Sequence, residues 1–79
     1  MSARVLFFGA TADLVGARTL DILVANNLKP AQILEEMVNR FPALAAQKLH
    51  LSINQEYATG DEDIHDGDEL AVFTPVSGG

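Results

Sequence analysis

Apolar residues in this chain fall into short unbroken runs near its two ends, with one helical stripe between them. Val5-Leu6-Phe7-Phe8, bounded by Arg4 and Gly9, predicts a strand. Leu70 to Thr74 predicts another, ended by Pro75. Between them Ile33, Leu34, Met37, Val38 and Phe41 recur at helical spacing, so a helix is expected from about Pro30 to Phe41. Pro30 suits its first position, Pro42 stops it, and Glu36 and Arg40 lie one turn apart on its solvent side. Weaker signals fill the rest. Ala12 to Val15 reads as one helical turn with Thr11 as N-cap and Gly16 ending it, Arg18 to Val24 as a strand, and Asn26-Asn27 as a turn. Ala43 to Gln47 reads as a further short turn. Leu49 to Ile53 reads as a strand, Asn54-Gln55 as a turn and Glu56 to Thr59 as a weak strand. Asp61 to Asp68 is a loop with a tight turn at Asp66-Gly67.

Strand, strand, helix, then short strands is the β-grasp order. The expectation is therefore an α+β, ubiquitin-like fold, with a mixed sheet of four to five strands packed on one main helix. The domain would span residues 1–74, leaving 75–79 as a flexible tail. A helix of roughly 18 Å covers one face of a small sheet and cannot cover both. Successive strand residues point to opposite faces. Val5 and Phe7 thus oppose Leu6 and Phe8, and Leu70 and Val72 oppose Ala71 and Phe73, so both strands are apolar on two sides. Either the short turns and loops cover the second face, or it stays exposed as a partner surface.

Seventy-nine residues make one domain with a modest core and little room for an enclosed catalytic cleft. The absence of cysteine excludes a disulfide framework, a thiolate zinc site and a cysteine nucleophile. Val5 to Phe8 is too short for a secretory apolar region, and no run approaches membrane-spanning length, so a soluble, cytoplasmic protein with no membrane partner is expected. The net charge of −6, with five scattered basic residues, makes nucleic acid a poor partner. Seven of the eleven acids lie between Glu56 and Glu69, which suits either a basic partner surface or a solvated face.

Motifs for catalysis fail on spacing. His50 and His65 lack spaced partners, and Ser52, His65 and Asp68 have no nucleophile elbow. Counted as a calcium loop from Asp61, the sixth position is Asp66 rather than glycine and the twelfth is Val72 rather than glutamate, so no metal site is expected. Gly9 and Gly16 lack the spacing and lysine of a phosphate loop.

What remains is the tail Pro75-Val76-Ser77-Gly78-Gly79. Five extended residues reach roughly 17 Å, enough to enter another protein's pocket. Without Cβ atoms, Gly78 and Gly79 can pass a narrow channel. Ordering such a tail costs about 1–2 kcal/mol per residue, which a partner interface must offset. A carboxylate becomes an acyl donor once its oxygen is made a leaving group. Adenylation at Gly79 would do this, and a sulfur nucleophile displacing AMP would leave a thiocarboxylate. The plain alternative for a Gly-Gly end is an ordinary frayed terminus.

Val5-Leu6-Phe7-Phe8-Gly9, Leu14-Val15-Gly16, Asn54-Gln55, Asp66-Gly67-Asp68-Glu69-Leu70-Ala71-Val72-Phe73 and Pro75-Val76-Ser77-Gly78-Gly79 together resemble the small subunits of molybdopterin synthase, a family of ubiquitin-like sulfur carriers. The resemblance covers essentially the whole chain. It implies a protein that is not catalytic alone and binds no cofactor itself. A ubiquitin-activating-like adenylyltransferase would adenylate Gly79 with ATP and magnesium, and a sulfur donor protein would convert it to a thiocarboxylate. The tail would then enter the large synthase subunit, in a heterotetramer, and deliver sulfur to cyclic pyranopterin phosphate for molybdenum cofactor biosynthesis. By the same comparison Gly79 carries the sulfur, and Gly78, Ser77, Val76 and Pro75 give access. Phe8, Phe73 and Ala71, with Val76, would meet the partner. Many relatives have Arg-Glu where this chain has Ala12-Asp13, so the resemblance does not extend to a charged partner contact there. A carrier for thiazole synthesis or another sulfur-transfer pathway, a protein modifier joined to lysines through Gly79, and an inert interaction module remain alternatives.

Overall fold

A computed structural model describes residues 2–23 and 28–74. The order is β1 (Ser2–Phe7), α1 (Ala10–Val15), β2 (Thr19–Leu23), α2 (Pro30–Arg40), a 3₁₀ turn (Pro42–Ala46), β3 (His50–Ile53), β4 (Glu56–Tyr57) and β5 (Glu69–Phe73). One five-stranded sheet has the order β2-β1-β5-β3-β4. β1 and β5 pair in parallel at its centre, and the other pairings are antiparallel. This is the mixed-sheet α+β architecture expected from the element order, at five strands.

Alternation decides the layers. Ala3, Val5 and Phe7 of β1, Leu70 and Val72 of β5, Leu51 of β3 and Ile22 of β2 all face α2 and are buried. Ile33 and Met37 meet them from α2 and are fully buried, while Leu34, Val38 and Phe41 pack partly buried around them. The Phe41 ring meets Phe7 edge-on at 6.1 Å, a favoured aromatic geometry. Lys29 N–H donates to Gln32 Oε1 at 2.8 Å, satisfying one amide at the entrance of α2. Arg40 meets Glu36 one turn back at 3.0 Å.

Three local readings change. Thr11 is not the N-cap of α1: the cap is Gly9, and Thr11 lies inside the helix, fully buried. Gly9 has φ 55 and ψ −124, a conformation that a side chain resists, so the reversal from β1 into α1 needs glycine. Gly16, as expected, ends α1 in the left-handed conformation. The expected β4 shortens to Glu56–Tyr57. Ile64, inside the acidic loop, is 1% exposed, its N–H donating to the Leu28 carbonyl at 3.0 Å. That one apolar anchor folds the loop back onto the core. Asn26-Asn27 and residues 75–79 lie outside the described residues.

Candidate docking face and carrier end

The face of the sheet away from α2 divides into two ends. The register Leu6↔Ala71 and Ser52↔Ala71, with Ser52↔Tyr57, puts Leu6, Ala71, Ser52 and Tyr57 side by side across four strands. Phe73, opposite His50, continues the same face of β5, and Phe8 follows β1. Phe8 is 55% and Tyr57 79% exposed, and the two line one apolar cleft. Phe73 is half-buried, its ring 5.6 Å from Tyr57 and 5.9 Å from His50. Ala71 is 8% exposed and floors a shallow cleft between Phe8 and Phe73. Thr74, the last described residue, stands at the rim.

Arg4, Asp21 and Glu69 occupy the other end of this face, where the Arg4 guanidinium meets Asp21 at 3.1 Å. The apolar end is thus bordered by charge along the same strands.

One side chain joins the apolar end to the body of the fold. Phe8 N–H donates to Thr11 Oγ1 at 3.1 Å, and that hydroxyl lies 2.9 Å from the carbonyl oxygens of both Phe8 and Val72.

The acids of the loop are engaged within the chain. Glu62 accepts the N–H groups of Thr59 (2.8 Å) and Gly60 (2.9 Å), and these bonds, that from Thr59 foremost, lower its pKa from 4.5 to about 2. Lys29 Nζ donates to Asp63 at 2.7 Å and to the Asp61 carbonyl at 3.0 Å, and the bond to Lys29 holds the Asp63 carboxyl below its usual range. Asp68 accepts from the His65 N–H (2.7 Å) and from Asn54 Nδ2 (3.0 Å). Asp66 accepts the Ser2 N–H at 2.7 Å. Much of the acid cluster therefore closes the loop onto α2 and the β1 and β3 ends. No group of three or more His, Asp or Glu residues capable of holding a metal occurs among the described residues. Ser52 lines the apolar cleft, whereas His65 and Asp68 line a separate acidic one, so those three do not converge.

Of the residues singled out in the sequence, the structure gathers Phe8, Ala71 and Phe73 on one face. Pro75, Val76, Ser77, Gly78 and Gly79 lie outside the described residues. Ala12 and Asp13 lie in α1 and line a cleft beside Phe8 together with Arg18. Tyr57 and Thr11 were not anticipated at the site. A hairpin register drawn through Asn54-Gln55 would have found Tyr57, since it sets Tyr57 opposite Ser52.

Comparison with known proteins agrees with this architecture. The ThiS family matches residues 5–79, running through both central strands and the terminal glycines. The chain belongs to the ThiS family. Within it, similarity is high to the molybdopterin synthase sulfur carrier subunit of Homo sapiens, 36% identical over 96% of this chain and 92% of that protein. The subunit of the same name from Escherichia coli (strain K12) is 35% identical over 96% of this chain and 98% of its own. Among solved structures, SAMP1 of Haloferax volcanii, a small archaeal modifier protein, superposes with a TM-score of 0.85 at 30% identity over the whole of both chains. No helix among the described residues of this ThiS-family chain is long and apolar enough to cross a membrane.

Proposed function

We propose that this chain is the sulfur carrier subunit of a molybdopterin synthase. The observation that carries the reading is near full-length similarity, at 36% and 35% identity, to two subunits of that name. In this reading a ubiquitin-activating-like adenylyltransferase joins the Gly79 carboxylate to AMP, using ATP and magnesium held by that enzyme. Sulfide-level sulfur supplied by a sulfur donor protein then attacks the acyl carbon, AMP leaves, and Gly79 ends in a thiocarboxylate. The carrier docks on the large synthase subunit through Phe8, Phe73 and the Ala71 floor. Pro75 to Gly79 then extend into that subunit's pocket, where the sulfur passes to cyclic pyranopterin phosphate. The chain supplies a docking face and an acyl end, and it works in the cytoplasm within a heterotetramer. The position of the cleft supports this division, because β5 forms its floor and then leads through Thr74 to the tail.

Intact-mass analysis after incubation with the activating enzyme, ATP and a sulfur donor tests the proposal. One oxygen exchanged for sulfur at the terminus is the expected product. Extending the chain by one residue past Gly79 should abolish sulfur delivery while leaving the fold intact. Delivery by the extended protein would refute the mechanism.

A second reading, a modifier conjugated to lysines through Gly79, draws support from the likeness to the archaeal modifier protein. Gly79 recovered from cells only in isopeptide linkage would favour it.

A further inference from the structure

Thr11 is the one buried polar side chain among the described residues, and it stands where the docking face meets the strand that leads to the tail. β1 ends at Phe7, opposite Val72, because Gly9 turns the chain away into α1. β5 runs on to Phe73 without a β1 neighbour. At that point the Thr11 hydroxyl takes over, 2.9 Å from the Val72 carbonyl and accepting the Phe8 N–H at 3.1 Å. A hydroxyl accepts and donates at once, so a single oxygen connects the backbone under Phe8 to the backbone of the last strand. Val72 lies two residues before the rim residue Thr74 and three before Pro75.

The geometry points to Thr11 as a positioning residue that fixes the end of β5, up to Thr74, relative to the Phe8 platform. This rests on the reading of Gly79 as the sulfur-bearing end. Thr11 touches neither partner nor reacting atoms. Its removal leaves Ala71 and Phe73 held by their β3 partners Ser52 and His50, but loosens the chain end at Thr74 against the backbone under Phe8. A small misplacement of an acyl end far from the altered residue slows transfer strongly, since rate depends on near-attack geometry. Docking and delivery therefore separate in a Thr11 variant.

The test uses wild type, Thr11→Val and Thr11→Ser, each prepared as the C-terminal thiocarboxylate and bound to saturating large subunit loaded with its pterin substrate. Single-turnover transfer by Thr11→Val is expected to be about tenfold slower, with its dissociation constant for the large subunit within about threefold of wild type. Thr11→Ser, which keeps the hydroxyl, should transfer within about twofold of wild type. Hydrogen exchange at the Phe8 amide should quicken in Thr11→Val and not in Thr11→Ser. Wild-type transfer by Thr11→Val, or an equal loss in Thr11→Ser, would overturn the proposal. Should Thr11→Val fail to fold, Thr11→Ala replaces it, with the same expected slowing and the same overturning result. If wild type itself delivers no sulfur, the carrier reading of Gly79 falls, an outcome distinct from any difference among the Thr11 variants.

Discussion

The two faces of the sheet start from the same alternating sequence and end differently. On the α2 side, Val5, Phe7, Leu70 and Val72 are at most 1% exposed and interlock with Ile33 and Met37. On the other side, Leu6, Ala71 and Phe73 come from the same two strands and Phe8 follows the first, yet none of them belongs to the core packed on α2. A single amphipathic helix can satisfy only one of two apolar faces. The first face therefore determines whether the domain folds, and the second is left open for other work. Sequence patterning alone treats the two alike. The number and length of the helices separates them.

Substitutions should divide along this line. Phe7→Ala, on the covered face, should give the largest effect. Emptying a fully buried aromatic site is expected to remove about 3–5 kcal/mol of a total of roughly 5–15, measurable as a lowered denaturant midpoint. Phe73→Glu, on the open face, should cost about 1 kcal/mol or less in folding but roughly 2 kcal/mol or more in large-subunit binding. Calorimetry of binding beside a denaturation curve decides it. Equal losses would move Phe73 to the covered side of the comparison and erase the distinction.

Smaller changes sharpen it. Asn54 and Gln55 both have positive φ, the geometry of a tight hairpin turn that glycine favours at its second position. Gln55→Gly should stabilise the hairpin presenting Tyr57 by about 0.5–1 kcal/mol, seen as a raised midpoint. The acidic loop should respond only to acid. Because Glu62 titrates at about 2 when folded against 4.5 ordinarily, its contribution is full above pH 4.5 and disappears as the pH falls toward 2. The protection factors of the Thr59 and Gly60 amides, corrected for intrinsic exchange, should fall over that window, while a Glu62→Gln protein shows no such pH step. A step that survives in the variant would assign the change to another carboxyl.

Where the sequence pattern was regular, it gave the structure closely. The stripe from Ile33 to Phe41 set α2 to within a residue, and the alternation in Val5–Phe8 and Leu70–Phe73 identified both faces. Thr11 misled because a threonine before a short apolar turn has the composition of a cap. Only the parallel neighbour β5, distant in sequence, reveals why it turns inward. Ile64 was invisible for a related reason: one apolar residue among acids carries no period, and its burial follows from the loop closing on Leu28. Tyr57 lay in a segment too short to alternate, and its place depends on the register set by Asn54-Gln55.

The parallel pairing of β1 with β5 brings the beginning and the end of the chain together at the middle of the sheet. A ribosome-bound intermediate that stops short of Glu69 lacks its central strand, so neither face is assembled until Glu69–Phe73 has emerged. Such long-range pairing slows folding, and synthesis from the N-terminus offers no stable partial domain on the way.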